Sequence, residues 1–576
     1  MKLLIRQHLF GMKERGGLDV LLPQLLSEAG YEIVHHPRIG GRQAGVDVAA
    51  VGPDPDADGR RTLNLFVIKS GDVGRADWDG SLQAVRPSLG EVVDDYIPNR
   101  VPPQYRDLPV AVCVCMGGEV QEGVRAQWKG FADKEGSDRI VFREWNGERL
   151  ANLILSGLLG GELLDPAHRA HFQKAITLVS EPDAAYDNFR ALLDTLSYDI
   201  DDGPHGATRL RQMMICLWIL VSNGMETGNL DAPYRACELA TLHAWDAYRR
   251  GGNALPAQRR LREEIIDHVL NLYLTVAERL ILGKIGPHAP KRYALSASVR
   301  SRSSLDVNLA LFETLGRTAL LGLWHHYLAV ITQADEEQTE HLRKRNELLN
   351  LAIGMINANP TLETPMRDDH QIEVGLLMLL AQWAGRVAHL QGYVAEIADR
   401  VAYRYLQRRD WLTHFRDYRQ LLRHPVDRSD AYFERSTPGS VLVPFLLVAL
   451  ERLGAAESQA FLSQVLSSQL RHMTLQVWAP NEETEENFWR QGWSIGFGIP
   501  IAIGIDGEQD CSLSEEVDGI ADDHDAVLKM EAIARRLVPL FLTACRHHRL
   551  PLPPHFWVCA GRSGQRNDAG ADTENM

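Results

Sequence analysis

An aspartate and a lysine lie on two neighbouring predicted strands in the N-terminal part of the chain. Asp47 belongs to the run Gly-Val-Asp-Val at 45–48, and Lys69 ends the run Leu-Phe-Val-Ile-Lys at 65–69. Both runs are typical of strands, and the turn-forming run at 53–59 joins them as a hairpin. A carboxylate can hold a divalent cation and a lysine can stabilise charge at a phosphate, so the pair suits phosphodiester cleavage. A plain cross-strand ion pair is the alternative.

The composition is that of an ordinary globular protein with several domains. The chain has 576 residues, of which 45% are hydrophobic and 24% charged, a length that allows roughly two to four domains. Its formal net charge of −15 excludes a basic protein that coats nucleic acid. Any contact with DNA or RNA must therefore come from a local basic patch or through a metal ion.

The cysteines and the apolar runs predict a cytoplasmic protein without a membrane span. Seven cysteines are scattered without a Cys-x-x-Cys pair, and Cys113 and Cys115 alternate on one predicted strand. We interpret these two as core thiols in a reducing compartment, with a metal site as the alternative. The N-terminus has too short an apolar run for a signal peptide. The longest later apolar run, 441–450, suits a buried helix and not a membrane span.

Helical and strand patterns alternate through the N-terminal region. Residues 18–29 have helical spacing and end at Gly30, as a helix with a C-terminal glycine would. The order predicted for this region is α-β-β-β-α-β-α-β-α. Its elements are a helix at 18–29, strands at 31–34, 45–48 and 65–69, a mainly helical run at 78–96 interrupted by Pro87, a buried strand at 109–116, a helix at 121–134, a strand at 139–145 and a helix at 148–159.

This order resembles the restriction-endonuclease-like fold of the PD-(D/E)xK superfamily, within it the Mrr-like (type IV restriction) branch. The resemblance covers residues 1–162 and also involves Gly30-Tyr31 and the run Asn-Gly-Glu-Arg-Leu-Ala at 146–151. It implies an α/β domain with a mixed central sheet flanked by helices. It further implies a nuclease that uses Mg²⁺ or Mn²⁺. The residues that match the superfamily's site are Asp47 as its acid, Lys69 as its lysine, Asp19 as the acid of the first helix and Ile68, whose backbone carbonyl would be a further metal ligand.

One position departs from the superfamily pattern. The residue two places before the lysine is normally Glu, Asp or Gln, and here it is Val67, which cannot bind a cation. Mg²⁺ is commonly held by one or two carboxylates plus waters, so the loss need not abolish binding. Groups that could replace the missing carboxylate are Asp72, Asp77, Asp79, Gln83 and Glu91. We interpret Asp77 and Asp79 rather as the cap of the following helix.

Several arginines are candidates for phosphate contacts. Arg38 and Arg42 lie in a glycine-containing loop, and Arg75 follows Lys69 after a short run that includes Gly71 and Gly74. Arg60 and Arg61 precede the lysine strand. Glycines would let a nucleic-acid backbone approach closely, and arginines would contact its phosphates. The alternative is that these arginines are simply solvated loop residues.

From residue 163 onward helical spacing dominates and strand patterns become scarce. We expect a large all-α domain in two parts, 163–360 and 361–561, followed by a disordered tail at 562–576. No repeat of fixed period indicates a named solenoid. The helices predicted in this part span 210–222, 232–250, 259–282, 307–333, 337–357, 371–407 as one bent helix or two, 441–453, 456–478 and 525–549.

Two hypotheses of different classes follow. The first is a metal-dependent nuclease, acting on DNA more than RNA in prokaryotic restriction or anti-phage defence, with a helical sensor or regulatory body. The second is a pseudonuclease, in which Val67 marks a decayed site and the domain binds nucleic acid or a protein partner. The helical body is in either case a possible surface for a partner protein. Since the P-loop and His-Glu-x-x-His motifs are absent from the sequence, nothing in it indicates a P-loop ATPase or a zinc protease of that type.

Overall fold

The computed structural model describes residues 2–35, 44–54, 56–155, 166–198, 204–251, 256–301, 303–424, 426–490, 496–501 and 512–557. The chain divides into two compact units, Met1–Leu272 and Tyr273–Met576. The predicted domain boundaries at 162 and 360 stay predictions. The predicted tail at 562–576 lies outside the described residues, as do Arg38 and Arg42.

The first unit contains a mixed five-stranded sheet. Its strands lie side by side in chain order. The first pairs with the second, and the second with the third, in antiparallel fashion, whereas the third pairs with the fourth, and the fourth with the fifth, in parallel. The central strand of the parallel part is buried at every residue, which explains its continuous apolar sequence. The strands are β1 (Glu32–His35), β2 (Val48–Asp54), β3 (Arg60–Lys69), β4 (Val110–Met116) and β5 (Ile140–Trp145).

Helices flank this sheet and continue into an extended helical part of the same unit. A π-helical turn at Glu14–Leu18 joins the first two helices, and a second one at Val92–Arg100 follows the fourth helix. The helices are α1 (Lys2–Gly11), α2 (Asp19–Glu28), α3 (Arg75–Asp79), α4 (Val85–Glu91), α5 (Glu122–Glu135), α6 (Gly147–Leu153), α7 (Pro166–Thr177), α8 (Pro182–Tyr198), α9 (Pro204–Thr227), α10 (Asp231–Arg250) and α11 (Pro256–Glu278), which crosses the boundary between the units.

The mixed sheet and the hairpin of β2 and β3 confirm the predicted α/β organisation, but several boundaries were wrong. Strand β2 begins one residue after Asp47 and ends at Asp54, two residues into the predicted turn. The helical run at 78–96 breaks at 80–84 and not at Pro87. Pro87 occupies the first turn of α4, where a missing backbone N–H costs no helical hydrogen bond.

The second unit is mainly helical. It contains a small three-stranded sheet that corrects the prediction of an all-α domain. Its strands are β6 (Gly439–Ser440), β7 (Thr474–Ala479) and β8 (Phe497–Pro500). The helix predicted at 456–478 ends at Gln469. The remaining residues from Thr474 form β7, where Leu475 and Val477 are buried on one side of an alternating strand.

The helices of the second unit mostly match the predicted positions. The run at 371–407 forms two helices, and the run at 525–549 is broken into three short ones. The helices are α12 (Ala294–Ser298), α13 (Ser304–Ile331), α14 (Asp335–Ala358), α15 (Gln371–Trp383), α16 (Gln391–Gln407), α17 (Tyr418–Arg423), α18 (Asp430–Ser436), α19 (Leu442–Leu453), α20 (Ala456–Gln469), α21 (Thr484–Phe488), α22 (Leu513–Asp523), α23 (Ala526–Lys529), α24 (Glu531–Ala534) and α25 (Val538–His548). Among the described helices of the chain, none is long and apolar enough to cross a membrane.

A network of buried ion pairs, here called the core network, joins α13, α15 and α25. Arg546 Nη1 lies 2.7 Å from Glu313 Oε1. Arg549 pairs with Glu373, and its Nη2 lies 3.0 Å from Asp369 Oδ1. Burial raises the pKa of Asp369 and Glu313, but the surrounding guanidinium groups reverse this effect and hold both values below the usual range. Asp369 and the partly exposed Glu313 therefore stay ionised, whereas burial raises the pKa of Glu373.

Candidate functional site

Asp47 lies at the start of β2, next to the end of β3. Its backbone N–H donates to the carbonyl of Phe66 at 2.9 Å, which continues the hairpin ladder by one residue. Its Oδ2 accepts a hydrogen bond from the Ile68 N–H at 2.7 Å. Gly45, at φ +78°, precedes it, and a Cβ there would lie 2.1 Å from the Ser88 carbonyl oxygen. Glycine is thus required at this close approach, which places Asp47 beside the lysine strand.

Lys69 ends β3 and forms an ion pair that the sequence did not predict. Its Nζ lies 3.2 Å from Glu14 Oε1, and its side chain is only 16% exposed. Glu14 is the first residue of the π-helical turn between α1 and α2. Because the glycine pair that follows it disrupts any helical periodicity, the sequence offered no signal that Glu14 would face this strand.

Asp19 is the first residue of α2, the place that the resemblance implied. Its Oδ1 accepts a hydrogen bond from the Gly17 N–H at 3.0 Å, which fixes the carboxylate against the π-helical turn. Helix α2 is held from its other side by α9, where Arg211 Nε donates to Gln24 Oε1 at 2.6 Å. Burial lowers the pKa of His268 on α11, while Asp267, Glu264 and, least of the three, Asp19 raise it.

The charges around Asp47 are unbalanced. Burial raises the pKa of Asp47, while the Ile68 N–H and the Lys69 ammonium lower it. Glu14 and Asp19 raise it further, so both carboxylates are near enough to repel that of Asp47. Asp47 thus lies within electrostatic reach of Lys69, Asp19 and Glu14, while the contact of Lys69 itself is with Glu14. A catalytic role for Asp47, Asp19 and Lys69 stays a prediction.

Val67 takes no part in this group of charges. It is 1% exposed and belongs to the apolar cluster that also contains Leu65 of β3 and Val112 and Val114 of β4. Its burial explains why an apolar residue is tolerated at this position, because the side chain packs against other strand residues and not against solvent.

The residues considered as replacements for the missing carboxylate have other surroundings. Asp72 Oδ1 accepts a hydrogen bond from the Glu119 N–H at 2.8 Å and so ties two loops together. Gln83 is exposed in the connection between α3 and α4. Asp77 Oδ2 accepts from the Gly74 N–H at 3.0 Å, which confirms the predicted helix cap. Asp79 pairs with Arg86 at 2.7 Å.

The predicted phosphate-binding arginines are only partly described. Arg75 is exposed at the start of α3, where a nucleic-acid backbone can reach it. Arg60 and Arg61 are exposed at the start of β3, at the opposite end of that strand from Lys69, and Arg61 lies 3.5 Å from Glu32. The prediction that Arg60 and Arg61 lie on the same side as Lys69 was therefore wrong, because the ten residues of β3 separate them from it.

The residues near Lys69 match the chemistry of a hard cation but form no closed cage. Among the described residues, no group of three or more His, Cys, Asp or Glu side chains is placed to hold a metal ion. Asp47 and Asp19 would supply oxygen ligands, and Mg²⁺ is commonly bound through one or two carboxylates with waters completing its shell. The donor set therefore fits Mg²⁺ or Mn²⁺ and not a softer metal.

Cys113 and Cys115 are free and fully buried in β4, as predicted for core thiols. Burial raises the pKa of both thiols, so neither is a ready nucleophile or metal ligand.

Comparison with known proteins found no match to any family model, any curated protein or any solved structure. Functional inference for this chain therefore depends on its own residues and their geometry.

Proposed function

We propose that the first unit is a metal-dependent nuclease with a restriction-endonuclease-like fold, acting on DNA more than on RNA. The observation that carries this proposal is the unbalanced group of Asp47, Asp19 and Glu14 around Lys69. Carboxylates that repel one another are stabilised by a divalent cation, and a lysine beside them suits an anionic phosphate. The order of strands and helices, with the acid and the lysine on one hairpin, supports the fold assignment.

Each residue of the group has a distinct role in this proposal. Asp47 and Asp19 would hold Mg²⁺ or Mn²⁺, with the Ile68 carbonyl as a further ligand. When bound, the cation lowers the pKa of a water molecule and offsets charge on the phosphate. Lys69 contacts the phosphate or orients the attacking water, and Glu14 holds the lysine in position through their ion pair. Arg75, exposed at the start of α3, contacts the nucleic-acid backbone.

The test is a cleavage assay on plasmid, linear duplex, single-stranded DNA and RNA, with Mg²⁺, Mn²⁺ or EDTA. We expect metal-dependent cutting that falls by roughly a hundredfold or more in Lys69→Ala and Asp47→Asn, because each change removes charge that acts on the phosphate or on the cation. Lys134→Ala is the matched control, since Lys134 is 79% exposed on α5 and outside the group.

Equal cleavage by the wild type and both site variants would contradict the proposal. Circular dichroism and thermal unfolding of each variant separate a lost activity from a lost fold.

The second candidate function is a pseudonuclease that binds nucleic acid or a protein partner without cutting. Two observations favour it, the buried apolar Val67 and the engagement of Lys69 by Glu14. Tight, metal-independent DNA binding without cleavage on any substrate would select this function. In both cases we place the chain in the cytoplasm, in restriction or anti-phage defence, with the helical remainder as the sensor or the surface for a partner protein.

A further inference from the structure

A cavity of about 970 Å³ lies in the second unit, beside helices α16 and α20. Its size is that of a site for a small molecule and not for a nucleic-acid duplex. The lining combines several arginines and acids with two aromatic rings. The residues that matter for its chemistry are Arg404, Arg409, Arg428, Tyr403, Asp399 and Glu457.

The arginines of this cavity differ in how well they are neutralised. Arg400 is fully engaged, because it pairs with Glu363 and with Glu396 and also donates to Thr364 Oγ1 at 3.0 Å. Arg404, one helical turn further on α16, makes only a long hydrogen bond of 3.4 Å from Nη1 to the Pro365 carbonyl. Across the described residues of the second unit, no carboxylate lies within ion-pair distance of the Arg404 guanidinium.

Burial and the neighbouring Arg400 both disfavour the charge on Arg404, and Asp410 compensates only in part. Burial lowers the pKa of Arg404, Asp410 raises it and Arg400 lowers it again. A half-buried guanidinium without an ion-pair partner is stabilised by an anion with several acceptor oxygens, such as a phosphate group. Arg409 and Arg428 are exposed on the same lining, and Arg409 Nε lies 3.9 Å from Asp410 Oδ2, a long ion pair that neutralises it only in part.

The aromatic and acidic parts of the lining indicate what accompanies the phosphate. Tyr403 is 59% exposed, an unusual state for a large ring on a helix that is otherwise well packed. An accessible tyrosine face stacks on a planar base. Asp399 and Glu457 supply carboxylate oxygens, which accept hydrogen bonds from hydroxyl or amino groups. These same acids would repel a free polyanion, so a phosphate alone does not account for the lining.

We propose that this cavity binds a nucleoside phosphate, with its phosphate on Arg404, Arg409 and Arg428, its base on Tyr403 and its ribose hydroxyls on the acids. The site belongs wholly to the second unit and does not depend on the proposed nuclease activity. It would give the helical body a small-molecule ligand.

The test is isothermal titration calorimetry of the full-length chain with ATP, GTP, AMP, adenosine and inorganic phosphate as separate probes. We expect saturable binding of at least one nucleotide, and at least tenfold weaker binding of adenosine and of phosphate, since each lacks half of the contacts. Arg404→Gln should weaken nucleotide binding by roughly ten- to a hundredfold, because it removes a charge-assisted contact to phosphate.

Two further variants keep the test decisive if Arg404→Gln fails to fold. Tyr403 and Arg428 are exposed, so Tyr403→Ala and Arg428→Ala should fold normally and still weaken binding. Arg423→Ala is the matched control, because Arg423 is an exposed arginine outside the lining. No saturable binding of any nucleotide, phosphate binding as tight as that of the nucleotides, or undiminished binding by Tyr403→Ala and Arg428→Ala would each overturn the proposal. None of these titrations measures cleavage. A negative result for nucleotide binding would therefore leave the proposed nuclease activity untouched.

Discussion

The candidate site of the first unit and the core network of the second unit both bring carboxylates together, but they neutralise them differently. In the core network each carboxylate lies against at least one guanidinium, and Glu373 is completely buried. At the candidate site Lys69 forms an ion pair with Glu14, whereas the carboxylates of Glu14 and Asp19 both repel that of Asp47. Burial raises the pKa of both Asp47 and Glu373, but only Glu373 has a guanidinium, that of Arg549, as an ion-pair partner.

This difference distinguishes a structural cluster from a functional one. Buried charges that are fully paired hold elements together and leave no room for a ligand, so removing one partner costs stability. Unbalanced charges at a sheet edge contribute little to stability, and their remaining interaction is available to a cation or a substrate. The comparison therefore predicts opposite responses to mutation in the two units.

The largest expected effect on stability is in the core network. Arg549→Leu should lower the free energy of unfolding of the second unit by about 3–5 kcal/mol, because it leaves the carboxylates of Asp369 and Glu373 buried without their partner. Denaturant unfolding followed by circular dichroism measures it. Arg343→Ala is the control, since Arg343 makes ion pairs on the surface and is 60% exposed. Equal destabilisation by both changes would show that the network is not structural.

A medium effect is expected at Glu278, whose carboxylate lies 2.8 Å from Lys344 Nζ and 3.3 Å from His325 Nε2. The hydrogen bond with His325 lowers the pKa of Glu278, and so does Lys344, whereas burial raises it. Together they bring the value from 4.5 to about 2. Since the folded-state value lies below the unfolded one, this stabilisation is present above pH 4.5 and is lost as the pH falls toward about 2. Glu278→Gln should cost on the order of 1–2 kcal/mol at neutral pH, after allowance for solvent screening, and nothing at the acid end.

Unfolding of wild type and Glu278→Gln across this pH range provides the measurement. A constant difference between the two curves would show that the stabilisation does not come from the ionised carboxylate.

The smallest expected effect on stability is at Asp47. Asp47→Asn keeps an oxygen that can accept the Ile68 N–H and removes the repulsion from Glu14 and Asp19. Because the folded-state pKa of Asp47 is raised, ionisation costs stability as the pH rises through that value. The variant should therefore be more stable than the wild type by up to about 1 kcal/mol at neutral pH, with the difference fading in acid. Destabilisation at neutral pH would place Asp47 among the structural charges and weaken the comparison.

Much of the fold of the first unit could be predicted because its signals are local. The buried strand at 110–116 is a continuous apolar run, and the hairpin of β2 and β3 follows from two β-rich runs around a turn. The proximity of Asp47 and Lys69 follows from that pairing alone. The exact start of β2 could not be predicted, because it depends on the approach of Gly45 to the Ser88 carbonyl, a contact between distant elements.

The other ion pairs of these clusters depend on tertiary contacts, which leave no periodic pattern in the sequence. Glu14 reaches Lys69 only because a π-helical turn replaces the start of a regular helix. In the core network, Glu313 meets Arg546 across more than two hundred positions of sequence. The small sheet with β7 was missed because its apolar residues also fit a continuing helix.

The burial of Val67 limits how a cation site beside Asp47 can be strengthened. Since Val67 packs inside the apolar cluster of one sheet face, a glutamate introduced there would bring a charge into a dry environment at a cost of several kcal/mol. An additional carboxylate ligand would therefore have to come from an element other than β3.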